Sequence, residues 1–188
     1  MSTIYLFRHG QTDFNRDKKF TGWLDAKLTD LGLQQAQKIA DLLAKKTINY
    51  AYQTRLSRSK DTLAIVLRNH PECKRIFTDD RLIERSYGDL SGQLHADIID
   101  KYGQEQFDKW HRGWDNRPPG GESFADVEIR VKNFITDLRS SIQDPASIIV
   151  ISAHGNSIRL FRKIMENATI DETCSWSIPY DSYFEYNI

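Results

Sequence analysis

The sequence predicts an α/β fold, a three-layer α/β/α sandwich around a mainly parallel sheet, and two observations lead to this prediction. Strand-like and helix-like segments alternate along the 188 residues, as in chains that wind helices over both faces of a parallel sheet. The segment "SIIVIS" is a nearly continuous apolar run, which is typical of a strand buried on both faces. The length is that of one domain, so we expect a single domain over residues 1–188.

Five short segments predict the strands. The first, "TIYLFR", begins almost at the start of the sequence, and the last is "SYFEYNI". Short apolar runs bounded by polar residues are typical of strands. We expect strands at residues 3–8, 48–54, 75–78, 147–152 and 182–188.

The segments between these strands have helical periodicity or turn signals. Apolar residues such as Ala36, Ile39 and Leu43 recur every three or four positions. Ser123 is suited to cap the helix that follows it, and Asp126 stands three residues later, as in a capping box. We expect helices at residues 30–46 with Thr29 as N-cap, 57–70, 94–116, from 124 and from about 156, and loops at 79–93 and 117–123. We interpret residues 94–120, rich in aromatic and polar side chains, as a lid over the site.

Composition and charge limit the partners of the chain. The 26 basic and 26 acidic side chains give a formal net charge of +0, so neither nucleic acid nor an anionic membrane surface is expected as a partner. No apolar run is long enough to span a membrane, and the first strand pattern leaves no room for a secretory signal. Cys73 and Cys174 have no metal-type spacing and are interpreted as reduced thiols. We therefore expect a cytoplasmic protein.

Two of the predicted strands end in a histidine followed by a glycine. Arg8, His9 and Gly10 end the first strand, and His154 and Gly155 end the strand "SIIVIS". Parallel strands of one sheet end at one edge, where ligands bind in open α/β sheets. We therefore expect the two imidazoles to face each other across a crevice. The glycines would let backbone amides approach a ligand closely.

The residues around this edge predict a site for a tetrahedral anion. Thr12 and Asn15 supply short hydrogen-bond donors, and the helix that begins near Asn156 points its N-terminal amides toward the edge. Arg58 lies early in the helix after the second strand. The planar fork of an arginine fits the oxygens of a phosphoryl group. A phosphoryl group is therefore the expected ligand.

A histidine at such a site can act as a nucleophile. A neutral imidazole nitrogen of His9 can attack phosphorus, while the arginines and His154 stabilise charge on the equatorial oxygens. The leaving oxygen needs a proton, and Glu84 in the polar segment "RLIERSYGDLSG" is the candidate donor. Taken singly, each residue has a structural alternative: a hydrogen-bonded surface histidine, a solvated Arg58, or Glu84 paired with a neighbouring arginine. Two histidines without a well-spaced third ligand make a poor zinc site, so no metal is expected.

Four motifs resemble, in chain order, those of the histidine phosphatase superfamily: "LFRHGQTDFN", "RLSRS", "RLIERSYGDLSG" and "SAHGNSIR". Four further stretches are most similar to the cofactor-dependent phosphoglycerate mutases: "FTGWLDAKLTDLG", "ERSYG", "KYGQEQFDKW" and "IPYDSYFEYNI". The resemblance runs nearly end to end. It implies a phosphoglycerate mutase-like sandwich and the activity of that superfamily.

The resemblance also implies a role for each matching residue. His9 would be the phosphorylated nucleophile and Glu84 the proton donor and acceptor, while Arg8, Arg58 and His154 would hold the transferred phosphoryl group. The pocket would be lined by Gly10, Thr12, Asn15, Thr21, Gly22, Arg85, Tyr87, His95, His111, Arg112, Gly155 and Asn156. No metal and no tightly bound cofactor would be needed, and 2,3-bisphosphoglycerate would prime the histidine. The partner would be a small phosphorylated metabolite, with monomer or homodimer left open.

Departures from the mutase pattern concern the substrate carboxylate and the access of water. A lysine holds the carboxylate in the mutases, but His95 stands at the matching position, and of the paired arginines only Arg112 is kept, beside His111. A histidine is only partly protonated at neutral pH. The sequence also ends at the last predicted strand, where the mutases continue into a flexible tail. We expect these differences to admit water to the phosphorylated enzyme.

The sequence therefore supports two enzymatic functions and one alternative without catalysis. The first is interconversion of 3-phosphoglycerate and 2-phosphoglycerate, in glycolysis and gluconeogenesis, because "FTGW" and "KYGQEQFDKW" follow the mutases most closely. The second is hydrolysis of small phosphate esters through the same phosphohistidine, which the departures favour. A binding module without catalysis would be expected to lack Arg8, His9 or Glu84, and all three are present.

Overall fold

The computed structural model describes residues 1–73, 75–142, 144 and 146–188, and its centre is a five-stranded sheet. The strands are β1 (Thr3–Arg8), β2 (Tyr50–Gln53), β3 (Arg75–Thr78), β4 (Ile148–Ala153) and β5 (Tyr183–Asn187). They lie in the order β3-β2-β4-β1-β5. β1 and β2 both pair with β4 in parallel, β2 pairs with β3 in parallel, and β5 is antiparallel to β1. The prediction of a mainly parallel sheet is confirmed.

Helices connect the strands. They are α1 (Asp13–Arg16), α2 (Asp30–Leu43), α3 (Ser57–Val66), α4 (His95–Tyr102), α5 (Gln104–Arg112), α6 (Phe124–Ser141), α7 (Gly155–Glu166) and α8 (Ile170–Ser175). Short 3₁₀ turns lie at Leu67–Asn69, Asp80–Leu82 and Gly88–Leu90. None of the helices in the described part of the chain has the length and apolarity needed to cross a membrane.

Side-chain alternation along β1 divides the core between the two faces of the sheet. Ile4 and Leu6 pack with α6 and α7 on one face, whereas Tyr5 and Phe7 pack with α2 and α3 on the other. Successive side chains of a strand point to opposite faces, so an apolar run such as β1 or β4 is buried on both. The predicted α/β/α sandwich is confirmed, and it places the ends of β1 and β4 side by side.

Helix boundaries agree with the sequence where a cap is present. Thr29 accepts a hydrogen bond from the backbone of Gly32 at the start of α2, and Ser123 forms the predicted capping box with Asp126 at the start of α6. The helix expected over residues 30–46 ends at Leu43. The short helices α1 and α8 were not predicted, because four and six residues are too few for a periodic pattern.

The segment expected to be one helix over residues 94–116 is two helices, and residues 113–116 are not helical. Gly103 separates α4 from α5 with φ 83° and ψ 158°, a conformation that essentially only glycine adopts. Both helices pack on a small cluster that contains Phe20, Tyr87 and Phe107. This cluster attaches them beside the carboxyl edge of the sheet. That they move as a lid stays a prediction.

Candidate active site

Adjacent strands bring the two predicted histidines together. β1 and β4 run parallel with Arg8 opposite Ala153, so His9 and His154 follow at the same edge. The centroids of the two imidazole rings are 5.0 Å apart. Both rings are almost completely buried.

The tautomer of His9 follows from its two hydrogen bonds. Nδ1 lies 2.8 Å from the carbonyl oxygen of Gly10, which can only accept, so Nδ1 carries the proton. Nε2 accepts a hydrogen bond from Nε of Arg58 at 3.2 Å. Burial, and then the charges of Arg58 and Arg8, hold the pKa of His9 well below its usual range. The ring is therefore neutral, and the lone pair of Nε2 can attack an electrophile such as phosphorus once the hydrogen bond from Arg58 is broken.

Arg58 is fixed by backbone carbonyls. Its two terminal nitrogens donate to the carbonyl oxygens of Leu24 and Gly22, both at 2.8 Å, while Nε meets His9. Burial lowers the pKa of Arg58 to about 10, so the guanidinium stays charged at neutral pH. Gly22 makes this contact from a turn with φ 53°, which glycine adopts without strain.

His154 and Arg8 complete the group around His9. Nε2 of His154 is 2.8 Å from the hydroxyl of Thr54, and burial, followed by the charge of Arg58, lowers the pKa of His154 well below its usual range. Arg8 donates from NH1 to the carbonyl oxygen of Ile178 at 3.0 Å. A Cβ at Gly155 would lie 3.3 Å from Cζ of Arg8. The glycine after the second histidine therefore leaves room for this arginine.

The carboxylate of Glu84 lies beside the first residues of α7, and one of its two oxygens accepts hydrogen bonds from the backbone. Its Oε1 accepts from the backbone N–H groups of Arg85 at 2.8 Å and Asn156 at 3.1 Å. Nε1 of Trp23 donates to the backbone carbonyl of Glu84 at 2.7 Å. The carboxylate is thus held in place at the wall of a cavity, where it can exchange a proton with a ligand.

The cavity has a volume of about 230 Å³ and is mostly polar. Its cationic side chains come from Arg8, Lys18, Lys19, Arg112 and Arg159. Among the described residues that line it, Glu84 is the one acid. Such an excess of positive charge in a crevice concentrates anions. The arrangement suits a ligand with more than one anionic group.

Most of the predicted pocket residues line this cavity. They are Asn15, Thr21, Gly22, Tyr87, His95, His111, Arg112, Gly155 and Asn156. Thr12 instead caps α1, where its hydroxyl accepts from the backbone of Asn15 and donates to the amide oxygen of that residue. Thr12 therefore positions Asn15.

Gly10 and Arg85 were expected to line the pocket, but neither is among the residues that line the cavity. The N–H of Gly10 donates to the hydroxyl of Thr62, and a Cβ at Gly10 would lie 2.2 Å from the carbonyl oxygen of Gly32. Close packing of two backbones, and not approach to a ligand, requires this glycine. Arg85 is fully buried outside the cavity lining, and it donates to the carbonyl oxygens of Trp110 and His111 at the end of α5.

His95 and His111 both line the cavity, and their rings lie close to each other. Their ring centroids are 5.2 Å apart, and both rings pack against Phe20 and Phe107. Burial, and then the charge of Arg112, lowers the pKa of His111 to about 3. Burial also lowers the pKa of His95. Both rings are therefore less protonated at neutral pH than free imidazoles would be.

Sequence reasoning missed several cavity residues, above all Arg159. Its NH1 donates to Oδ1 of Asn156 at 2.8 Å, and its other nitrogens donate to the carbonyl oxygen of Trp176. Burial lowers the pKa of Arg159 to about 9, so it is mostly charged at neutral pH. Its position three residues after Asn156 on α7 was a usable signal. Lys18, Lys19 and Tyr180 come from loops, where no periodicity marks them.

Among the residues that the structure describes, no three His, Cys, Asp or Glu side chains lie close enough together to hold a metal ion.

The site lies where parallel strands of the sheet end, which is the edge where α/β proteins commonly bind their ligands. The model of the histidine phosphatase superfamily (branch 1) matches residues 4–187. The chain belongs to this superfamily.

Known relatives include both mutases and phosphatases. A 2,3-bisphosphoglycerate-dependent phosphoglycerate mutase from Rhizobium etli (strain CIAT 652) is 39% identical over 172 residues, which cover 89% of this chain and 81% of the relative. The mycobacterial glucosyl-3-phosphoglycerate phosphatase in complex with VO3 is 28% identical, with a TM-score of 0.82 and coverage of 97% of this chain and 91% of that chain. Mycobacterial hydrolase 1 is 26% identical, with a TM-score of 0.85 and coverage of 97% and 87%.

Proposed function

We propose that the protein transfers phosphoryl groups through a phosphohistidine on His9 and interconverts 3-phosphoglycerate and 2-phosphoglycerate. One observation carries the proposal: His9, with its proton fixed on Nδ1, directly follows Arg8, and Arg8 lines a cavity together with four further cationic side chains. A phosphoglycerate carries a carboxylate besides its phosphate, so it matches this charge. The mutase from Rhizobium etli supports the same substrate. In this proposal 2,3-bisphosphoglycerate primes the histidine, and neither a metal nor a tightly bound cofactor takes part.

In each phosphoryl transfer the site residues have separate chemical roles. The lone pair of Nε2 forms the N–P bond while the P–O bond of the ester breaks, and Glu84 gives a proton to the leaving alkoxide. Arg8, Arg58 and His154 stabilise charge on the transferred group. The second transfer reverses these steps: Glu84 takes the proton of the free hydroxyl of a bound phosphoglycerate, the oxygen of that hydroxyl forms a P–O bond, and the N–P bond breaks to regenerate His9.

Beyond the phosphoryl group, the cavity offers two arginines for the carboxylate. Arg112 and Arg159 line it together and lie on different helices, α5 and α7. A charged guanidinium binds a carboxylate with paired hydrogen bonds. These two residues would therefore replace the lysine that the mutases carry at the position of His95.

Hydrolysis is the second candidate, and the lowered pKa values of His95 and His111 favour it. Both rings add less positive charge to the cavity than the lysine of the mutases would, so the acceptor could leave before the phosphoryl group returns to it. Water would then attack the phosphohistidine, with Glu84 as the base. Structures of phosphatases among the relatives agree with this alternative.

Product partition distinguishes the two functions. Purified protein is incubated with 3-phosphoglycerate, with and without 2,3-bisphosphoglycerate, and both 2-phosphoglycerate and free phosphate are followed. We expect bisphosphate-dependent isomerisation with little phosphate release. Phosphate release without isomerisation would establish the phosphatase, and equal turnover by a His9→Ala variant would refute both functions.

A further inference from the structure

Tyr180, in the loop between α8 and β5, contacts the arginine that precedes the nucleophile. Its ring centroid lies 3.9 Å from Cζ of Arg8 and 6.4 Å from the ring centroid of His9. Tyr180 also lines the cavity. A guanidinium over an aromatic ring at this distance is a cation–π contact, and it becomes stronger when water is excluded.

The loop that carries Tyr180 is attached on both sides of this residue. The carbonyl oxygen of Ile178 accepts from NH1 of Arg8 at 3.0 Å. On the other side, Asp181 accepts from Nζ of Lys38 on α2 at 2.6 Å. The loop is therefore attached to Arg8 through its backbone on one side of Tyr180, and to α2 through an exposed ion pair on the other.

Arg8 itself has few other contacts that fix the plane of its fork. Its Nε is buried and has no hydrogen-bond partner among the described residues. No carboxylate of the described chain forms an ion pair with it. One hydrogen bond to Ile178 leaves rotation about that bond free, whereas contact with a flat ring restricts the plane of the guanidinium.

We propose that Tyr180 is a positioning residue that holds the guanidinium plane of Arg8 in the orientation that binds the transferred phosphoryl group. The inference rests on the proposed function, because it assigns Arg8 to that group. The aromatic face performs the task, and the hydroxyl is not required. Without the ring, Arg8 has to be ordered by the ligand itself, which weakens binding.

Binding of orthovanadate, measured by calorimetry at fixed pH and salt, tests the proposal without any assumption about the natural ester. We expect Tyr180→Leu and Tyr180→Ala to weaken binding by about three- to thirtyfold, the range of a partly desolvated cation–π contact. Tyr180→Phe should bind as the unchanged protein does. Thermal unfolding of each variant shows whether it is folded.

A double-mutant cycle with Arg8→Lys separates positioning from a general structural effect. Lysine has no planar fork to orient, so Tyr180→Leu should change vanadate binding by less than about twofold in that background. A full effect in the Arg8→Lys background, or a Tyr180→Phe variant as weak as Tyr180→Leu, would overturn the inference.

The proposed function fails in a different way. If the unchanged protein and His9→Ala both leave vanadate unbound, the phosphoryl site itself is refuted, and the inference with it. If the unchanged protein binds vanadate and Tyr180→Leu binds it equally well, only the inference is refuted.

Discussion

Glu84 shows how a single side chain can be prepared for proton transfer. The backbone N–H groups of Arg85 and Asn156 both donate to the same carboxylate oxygen of Glu84, Oε1. A glutamine can keep these hydrogen bonds through its amide oxygen but cannot give up or take a proton. We expect Glu84→Gln to bind vanadate normally and to lower kcat by ~100- to 10,000-fold. Steady-state kinetics measure this, with the exposed Glu105→Gln on α5 as control; a loss of only a few-fold would assign the proton to another group.

Arg159 is the residue whose charge is expected to select the substrate. It reaches the cavity from α7 and is oriented by Asn156 and by the carbonyl of Trp176. Hydrogen bonds to charged groups contribute about 1.5–3 kcal/mol, so Arg159→Ala should raise KM for 3-phosphoglycerate by about 10- to 100-fold. KM for p-nitrophenyl phosphate, which lacks a carboxylate, should stay the same, as should both values in Arg139→Ala. A parallel rise for both substrates would count against a carboxylate contact.

At the scale of elements, Gly103 sets the angle between α4 and α5. A Cβ there would meet no atom within 4 Å, so the whole cost of a side chain is the strain of the backbone at φ 83°. We expect Gly103→Ala to lower the free energy of unfolding by ~1–3 kcal/mol. Because α5 carries His111 and Arg112 to the cavity, phosphoglycerate binding should weaken as well. Urea unfolding measures the first effect, with Lys101→Ala as control, and an unchanged unfolding curve would show that the turn relaxes.

The elements show which parts of the fold sequence patterns could predict. The strands and the long helices were predictable because apolar periodicity and side-chain caps are local properties, as at Thr29 and Ser123. The break at Gly103 carried a local signal in the glycine itself, which the continuous polar and aromatic pattern of residues 94–116 obscured. The short helix α8 had none, since its six residues depend on the Thr169 cap and on packing against α7.

At the scale of the whole molecule, buried neutral histidines couple stability to pH. The pKa values of His9 and His154 are lowered in the fold by burial, while in the unfolded chain they return to about 6.5. Below that pH the unfolded chain binds protons that the folded chain does not, so stability is complete above about pH 7 and falls as the pH decreases. Each histidine lowers the free energy of unfolding by up to ~1.4 kcal/mol for each pH unit below its pKa in the unfolded chain.

Urea unfolding at pH 7.5 and pH 5.5 measures this coupling. We expect a smaller free energy of unfolding at pH 5.5, above the range in which most carboxylates titrate. A double variant with His9→Gln and His154→Gln should lose part of the difference. Equal stability of the unchanged protein at the two pH values would show that folding does not lower the pKa values of these rings.

The site as a whole could be predicted only in part. Arg8, His9, Arg58, Glu84 and His154 could be named because strand ends and motifs identify them. The structure places Arg8, His9, Arg58 and His154 together at the ends of β1 and β4, and Arg8 and Glu84 also line the cavity. The state of His95 and His111 could not be predicted, since it depends on packing against Phe20 and Phe107 from distant segments. Lys18 and Tyr180 reach the site through loops whose course only tertiary contacts fix.

The hydrogen bond between His9 and the carbonyl of Gly10 also determines which isomer of the modified amino acid can form. With the Nδ1 proton held by that oxygen, only the nitrogen remote from the main chain can accept phosphorus. A peptide released from the phosphorylated protein should therefore contain tele-phosphohistidine, and an antibody specific for the pros isomer should not recognise it. Detection of the pros isomer would mean that the imidazole ring flips, and so gives up its hydrogen bond to Gly10, before it reacts.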